Sequence, residues 1–350
     1  MKYGRRILAD VEGYTPGEQP DDPSVIKLNT NENPFPPSPR VIDAIRSVTP
    51  DALRRYPDPV SRRLRKTFAE RYGYPDENWV IAGNGMDEIL ALTVRSFCDP
   101  GDTLVTTYPT YTLYETLAQL HGATISCVEL DAKWQLPEAL FAAQGRILFL
   151  PRPHAPSGSL FPRAEVERLC DAFPGIVFID EAYVDFADDN CIDFPKRFEN
   201  AIVGRTFSKS FSLAGLRVGF AVARPELIRE FIKTKDSYNL NAVTQAAATA
   251  ALEDLGEVEA HRGTICANRA ALTEGLRALG FTVPDSQSNF VLAEWSGSPS
   301  TRTLFEQLRE RRIFVRYFDA PRLDGAMRIT VGSAEEIQAL LSALRSLIAG

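Results

Sequence analysis

The spacing of apolar and polar positions changes twice along this chain. Up to about residue 40 neither a helical nor a strand period is present. Turn formers dominate instead, in Tyr14-Thr-Pro-Gly-Glu18 and Asn31-Glu-Asn-Pro-Phe-Pro-Pro-Ser-Pro39. This predicts an extended arm rather than a core element. Helical spacing follows at 39–47 and more strongly at 60–72. From about residue 80 short apolar runs alternate with helical stretches. Runs at 103–107, 123–130, 145–150, 175–180, 201–206 and 217–223 predict strands; 86–97, 111–121, 163–173 and 225–236 predict helices. Apolar strands separated by helices imply a mainly parallel sheet covered on both faces. An Ala-rich helix at 241–254 and a long helix at 257–279 come next. The tail then shows strands at 281–283, 288–294, 312–316 and 326–331, with helices at 300–311 and 333–348. The expected organisation is an arm (1–40), a large α/β domain (41–236) and a smaller α+β domain (237–350).

Composition narrows the function classes. The chain has 350 residues, 44% apolar and 24% charged, the balance of a globular protein. A net charge of −7 with no basic block argues against nucleic acid as the main partner. The five cysteines form no Cys-x-x-Cys pair, and the three histidines, His121, His154 and His261, are far apart in sequence. Neither a disulfide framework nor a His-based metal site is indicated, so no metal is expected. No signal peptide and no membrane-length apolar run is evident, and the expected setting is the cytoplasm.

The chemistry concentrates in loops that follow the predicted strands. Lys209 lies in Arg205-Thr-Phe-Ser-Lys-Ser-Phe-Ser-Leu-Ala-Gly-Leu-Arg217, one amine among hydroxyls, a glycine and a guanidinium. An amine attacks a carbonyl only when neutral, and its free pKa is about 10.4, so a reactive Lys209 requires a site that lowers it. The hydroxyls and Arg217 suit a phosphate. Gly83-Asn-Gly-Met-Asp-Glu88 opens a helix, where free N–H groups and the helix dipole favour an anion. It lacks the third glycine of a dinucleotide fingerprint. Phe178-Ile-Asp-Glu-Ala-Tyr183 ends a buried strand, at the sheet edge where ligands of open α/β sheets bind. Asp180 could keep a ring nitrogen protonated, and Tyr183 could donate to a ring oxygen. Tyr108-Pro-Thr-Tyr-Thr-Leu-Tyr114 offers Tyr111 as a stacking surface. Pro151-Arg-Pro-His-Ala-Pro-Ser-Gly158 is a rigid loop after another strand. Each loop alone reads equally well as a turn or a core contact. Their coincidence after successive strands is the specific signal.

Together these residues resemble the fold-type I enzymes that use pyridoxal 5′-phosphate (PLP), in the class I/II aminotransferase group, and within it the histidinol-phosphate aminotransferase family. The resemblance runs from Tyr14 to the helix after Gly332. It is carried by Leu28-Asn-Thr-Asn-Glu-Asn-Pro34, Arg55-Tyr-Pro-Asp-Pro59, Gly85-Met-Asp-Glu88, Asp180-Glu-Ala-Tyr183, Ser208-Lys209 to Arg217, and Met327-Arg-Ile-Thr-Val-Gly332. It implies that Lys209 holds the cofactor aldehyde and then moves a proton, that Asp180 pairs with the ring nitrogen, and that Tyr183 donates to the ring's phenolic oxygen. Tyr111 would stack on the ring. Ser208, Arg217 and the backbone of Gly85, Met86 and Asp87 would bind the phosphate. Tyr56 would come from the partner subunit of a homodimer. Arg328 would bind the acidic end of the substrate, with Tyr14 and Arg316 around a substrate phosphate and Asn33 in the arm that covers the site. The implied reaction exchanges an amino group between L-histidinol phosphate and 2-oxoglutarate, in histidine biosynthesis. Alternatives are an aromatic amino-acid aminotransferase, a decarboxylase of a phosphorylated amino acid such as threonine phosphate, and, more remotely, a non-catalytic binding module. Two departures stand out. Ala155 occupies a position where the family usually carries an Asn that donates to the phenolic oxygen, leaving His154 as a substitute donor or Tyr183 alone. Arg152 has no assignable role.

Overall fold

Continuous burial along the short apolar runs makes them strands of one sheet. The computed structural model describes residues 3–11 and 13–349. Its strands are β1 (Ile26–Lys27), β2 (Val80–Gly83), β3 (Thr103–Tyr108), β4 (Thr124–Glu129), β5 (Ile147–Pro151), β6 (Ile176–Asp180), β7 (Ala201–Thr206), β8 (Gly219–Val222), β9 (Phe290–Glu294), β10 (Ile313–Phe314), β11 (Arg316–Tyr317) and β12 (Ala326–Thr330). The large sheet has the order β2-β8-β7-β6-β5-β3-β4. β8 runs antiparallel to both neighbours, and every other pairing in this sheet is parallel. β5 and β7 are buried at every position, as strands covered by helices on both faces must be, whereas the edge strand β4 is largely exposed. Parallel pairing brings the C-terminal ends of β3, β5, β6 and β7 to one sheet edge. The loops carrying Tyr111, His154, Asp180 and Lys209 therefore leave from the same side.

The smaller lobe contains the antiparallel sheet β11-β12-β9, backed by the helices Gly256–Ala278, Thr301–Glu310 and Ala334–Ala349. The arm belongs partly to this lobe. β1 pairs in parallel with β10, and Leu28, 1% exposed, joins the small-lobe core. The domain boundary expected at 236/237 moves. The helix Ala242–Glu253 packs on Pro39–Arg46 and Arg62–Arg71, and its Ala247, Ala248, Ala251 and Leu252 belong to the large-lobe core. The next helix, Gly256–Ala278, starts against that core through Val258 and ends in the small core through Ile265, Leu272 and Leu276. An Ala-rich pattern predicts a helix but does not say which core receives it. Two smaller expectations change as well. Residues 281–283 form only an isolated bridge, Thr282 with Glu294. β2, four residues ending in a glycine turn, is too short to stand out in the sequence. Among the described residues no helix is long and apolar enough to cross a membrane.

Candidate active site

Phe207, Phe211 and Leu213 are buried and pin the loop between β7 and β8 from below. The polar residues between them are held as tightly. Ser208 Oγ accepts hydrogen bonds from Thr206 Oγ1 at 3.0 Å and Arg217 Nη1 at 3.4 Å, and Ser210 donates to Asp185. Lys209 is half-buried, donates from Nζ to the Thr30 carbonyl at 3.2 Å, and lies 5.6 Å from the centre of the Tyr183 ring. Burial, helped by the positive charge of Arg328, pulls its pKa down to about 8. The neutral fraction at pH 7 is then about 300 times that of an ordinary lysine.

Asp180, 5% exposed, closes β6. It accepts hydrogen bonds from Tyr114 Oη at 2.7 Å and the Ala182 N–H at 3.1 Å, and it forms no ion pair among the described residues. Burial pushes its carboxyl up to about 6 in spite of those two donors. A carboxylate so placed lacks a cation. Tyr183 follows three residues later, its ring edge against Phe290 at 4.9 Å between centroids and its hydroxyl receiving Asn31 Nδ2 at 2.9 Å.

The helix Met86–Phe97 begins at Gly85, whose φ of +86° favours glycine. A Cβ there would lie 2.6 Å from Arg217 Nη2, and a Cβ on Gly219 would lie 2.9 Å from the Met86 nitrogen. Two glycines thus let Arg217 and β8 approach a helix N-terminus whose first N–H groups lack helical partners. Arg217 Nη2 and Tyr111 Oη both converge on the Asp87 carboxylate, each at 3.1 Å.

Arg316 and Arg328 are register partners across the antiparallel pair β11 and β12. Like charges directly opposite are destabilising. Neither has a carboxylate partner among the described residues: Arg328 Nη2 donates to the Asn29 carbonyl at 3.1 Å and Arg316 Nη2 to that of Thr15 at 3.5 Å. Arg328 Nε is buried without a partner among them. Burial, with Arg316 adding to it, lowers the Arg328 pKa. The arm covers this region. Tyr14 meets Tyr111 edge-on at 5.4 Å, and Asn33 Nδ2 donates to the carbonyls of Lys209 and Ser210 at 3.1 and 3.2 Å. Asn33 thus clamps the lysine loop to the arm through its backbone.

The comparisons with known proteins bear on this arrangement. Residues 23–344 match the family model described as aminotransferase class I and II. The chain belongs to the class I and II aminotransferases. It is 43% identical over 348 residues to histidinol-phosphate aminotransferase 1 of a Nostoc species, covering 99% of this chain and 98% of that one. It is 44% identical to the histidinol-phosphate aminotransferase of Microcystis aeruginosa, with 98% of each covered. The crystal structure of the Sinorhizobium meliloti histidinol-phosphate aminotransferase in complex with pyridoxal-5′-phosphate superposes with a TM-score of 0.90 at 24% identity, over 100% of this chain and 98% of that one.

In this aminotransferase one expected site residue does not serve as expected. His154 is fully buried; its Nε2 bonds the Pro109 carbonyl and its Nδ1 the Ser157 hydroxyl, both at 2.8 Å. A carbonyl only accepts, so Nε2 carries the proton and Nδ1 accepts. Burial lowers the pKa to about 4, keeping the ring neutral. No donor is left for a cofactor oxygen, and His154 is a brace inside its own loop. Arg152 acquires a role: fully buried, it donates from Nε to the Phe161 carbonyl at 2.8 Å and pairs with Asp189, fixing the same loop. Tyr56 is 80% exposed and stacks on Tyr238 at 4.3 Å. It lines a cleft of about 700 Å³ together with Asn84, Gly215 and Arg217. Three further groups enter the site without being singled out by the sequence. Tyr114, three residues after Tyr111, supports Asp180; Asn31 meets Tyr183; and the Thr30 carbonyl receives Lys209. The spacing of Tyr111 and Tyr114 is a usable signal, because the turn that leads into the helix Leu113–His121 brings the two rings within 5.6 Å of each other. The contacts from Thr30 and Asn31 depend on how the arm docks and have none.

Proposed function

We propose that this chain is a PLP-dependent histidinol-phosphate aminotransferase, exchanging the amino group of L-histidinol phosphate with 2-oxoglutarate. The residues present fit the cofactor. Asp180 is a buried carboxylate without a cation among the described residues, the complement of a protonated ring nitrogen, and a ring cation there would relieve the burial penalty that raises its pKa. Gly85 and Gly219 keep open a cradle that a Cβ at either position would obstruct, with Ser208 and Arg217 at its edge. When bound, PLP supplies the electron-withdrawing ring that takes up the charge left at the substrate Cα.

The protein's own groups do the rest. Lys209 Nζ, often neutral near pH 8, would hold the cofactor aldehyde and, when free, would take the Cα proton. Its fixed backbone, clamped by Asn33 and Ser210, keeps that amine in place and replaces a bimolecular proton transfer by a local one. Asp180, itself oriented by Tyr114, would keep the ring nitrogen protonated. Tyr183 would donate to the phenolic oxygen, and Tyr111 would offer its ring face.

The observation that carries the substrate reading is the opposed pair Arg316 and Arg328. Two arginines directly opposite each other across β11 and β12, with no carboxylate partner among the described residues, suit a dianionic phosphate in one half-reaction and a dicarboxylate in the other. Tyr14 would close that end. We read the chain as a homodimer, with Tyr56 of each subunit serving the other's phosphate site; the exposure of Leu53 and Tyr56 along the Arg217 cleft, and of Tyr238 stacked on Tyr56, supports this. The setting is read as cytoplasmic.

The test is glutamate formation from L-histidinol phosphate and 2-oxoglutarate by the PLP-loaded protein, beside L-phenylalanine and phosphothreonine. A preference for histidinol phosphate, with KM raised in Arg316→Ala and PLP affinity unchanged, is expected. Preference for phenylalanine, or CO2 release from phosphothreonine, would replace the reading.

A further inference from the structure

Asn31 is 1% exposed and sits at φ +56°, in the left-handed region that Asn tolerates better than most residues. Both its backbone and its side chain are held from the small lobe. Its N–H donates to Thr330 Oγ1 at 2.9 Å, its carbonyl accepts Asn289 Nδ2 at 3.0 Å, and its Oδ1 accepts the Thr330 hydroxyl at 3.2 Å. Its remaining polar atom, Nδ2, donates to Tyr183 Oη at 2.9 Å. Tyr183 follows β6 of the large sheet, so this bond joins the two lobes beside Lys209.

The direction of that bond decides where the Tyr183 proton can go. Turning the Asn31 amide over would place its oxygen on Tyr183 and leave the Thr330 hydroxyl, 2% exposed, without its acceptor. With Nδ2 on Tyr183, the phenol oxygen accepts from Asn31 and its single proton points elsewhere. Burial raises the Tyr183 pKa, so the proton is present. Neither of the two loop positions considered for a second donor supplies one from its side chain: Ala155 has none and the His154 proton is committed to Pro109.

We propose that Asn31 is a positioning residue that aims the Tyr183 proton into the site, so that one tyrosine can serve as the phenolic-oxygen donor without help from position 155. This rests on the PLP reading given above. Because Asn31 hangs from β12 and Asn289, the donor is aimed only while arm and small lobe are docked on the large lobe.

The test is the pH midpoint at which the visible absorption band of the bound cofactor shifts in the holoenzyme, read alongside PLP affinity and Tm. A donor to the phenolic oxygen stabilises its ionised form, so removing it raises the midpoint. Tyr183→Phe is expected to raise it by about one to two units, that is, ten- to a hundredfold in the ionisation constant. Asn31→Gly, which keeps the positive φ available, is expected to raise it by about half a unit to one unit. In the Tyr183→Phe background, Asn31→Gly should add nothing measurable, because its effect runs through the tyrosine. Should Asn31→Gly fail to fold, Thr330→Val, which removes the hydroxyl that orients the amide, is expected to raise the midpoint in the same way. An unmoved midpoint in Asn31→Gly, or shifts that add fully in the double variant, overturns the proposal while Tyr183→Phe still shifts. No shift in Tyr183→Phe overturns the underlying assignment of Tyr183 instead.

Discussion

Asp180→Asn separates what the site costs the fold from what it gives the reaction. In the cofactor-free protein the Asp180 carboxyl titrates near 6 instead of its ordinary 3.8, because burial opposes its charge. A carboxyl whose folded pKa is raised costs the native state nothing below its unfolded pKa. The cost grows as pH rises through the interval and is complete above the folded value. At about 1.4 kcal/mol per pKa unit, it reaches about 1.6 kcal/mol at pH 5 and about 3 kcal/mol at pH 7.5. The neutral amide of the variant escapes this cost. Its one carbonyl oxygen keeps the Ala182 N–H, while its amide nitrogen, which cannot accept, donates to Tyr114 Oη instead, a pH-independent loss of about 1 kcal/mol. The cofactor-free variant is therefore expected to be about 2 kcal/mol more stable than the parent at pH 7.5, and about 0.5 kcal/mol more stable at pH 5. Urea unfolding of both apoproteins at the two pH values measures this, alongside transamination by the PLP-loaded forms, which should fall by at least about a hundredfold in the variant. A variant less stable at pH 7.5, or a stability difference independent of pH, would refute the claim that Asp180 is a buried charge awaiting a cation.

Lys209 should capture PLP with a rate in the apoprotein that rises with pH to a midpoint near 8, since only the neutral amine attacks; a midpoint near that of an ordinary lysine would contradict the burial argument, and stopped-flow absorbance reads it. Gly85→Ala combines a positive φ with a Cβ 2.6 Å from Arg217, so PLP affinity is expected to drop at least about tenfold with about 1 kcal/mol of lost stability, measured by fluorescence titration and thermal unfolding. His154→Ala should cost about 2–4 kcal/mol of stability by removing the ring's bonds to the Ser157 hydroxyl and the Pro109 carbonyl and opening a cavity, yet leave the cofactor's absorption spectrum unchanged in the folded fraction.

The sheet and the loops at its edge are legible in the sequence because parallel strands are buried on both faces, and their apolar runs stand out between helices. The strand ends then place Asp180 and the segment after β7 places Lys209, so the groups proposed to act directly on the cofactor follow from local sequence. Groups that act through others do not. Tyr114 supports Asp180 from a different strand connection, and Asn31 reaches Tyr183 across 152 positions. His154 departs from expectation for the same reason. Its neighbourhood in sequence is the site, but its ring turns inward onto Pro109, and only burial reveals that. Arg152 likewise has no meaning until Asp189 is folded against it. The Ala-rich helix Ala242–Glu253 joins the large lobe rather than the small one, and small residues that pack equally well on either core give no warning of it.

Reduction of the PLP-loaded protein with borohydride, followed by peptide mapping, tests the central claim most directly. A single stable pyridoxyl adduct on the Nζ of Lys209 is expected, absent when Lys209 is replaced by Ala. An unlabelled Lys209 in a protein that has bound PLP, or a stoichiometric adduct on another lysine, would contradict it.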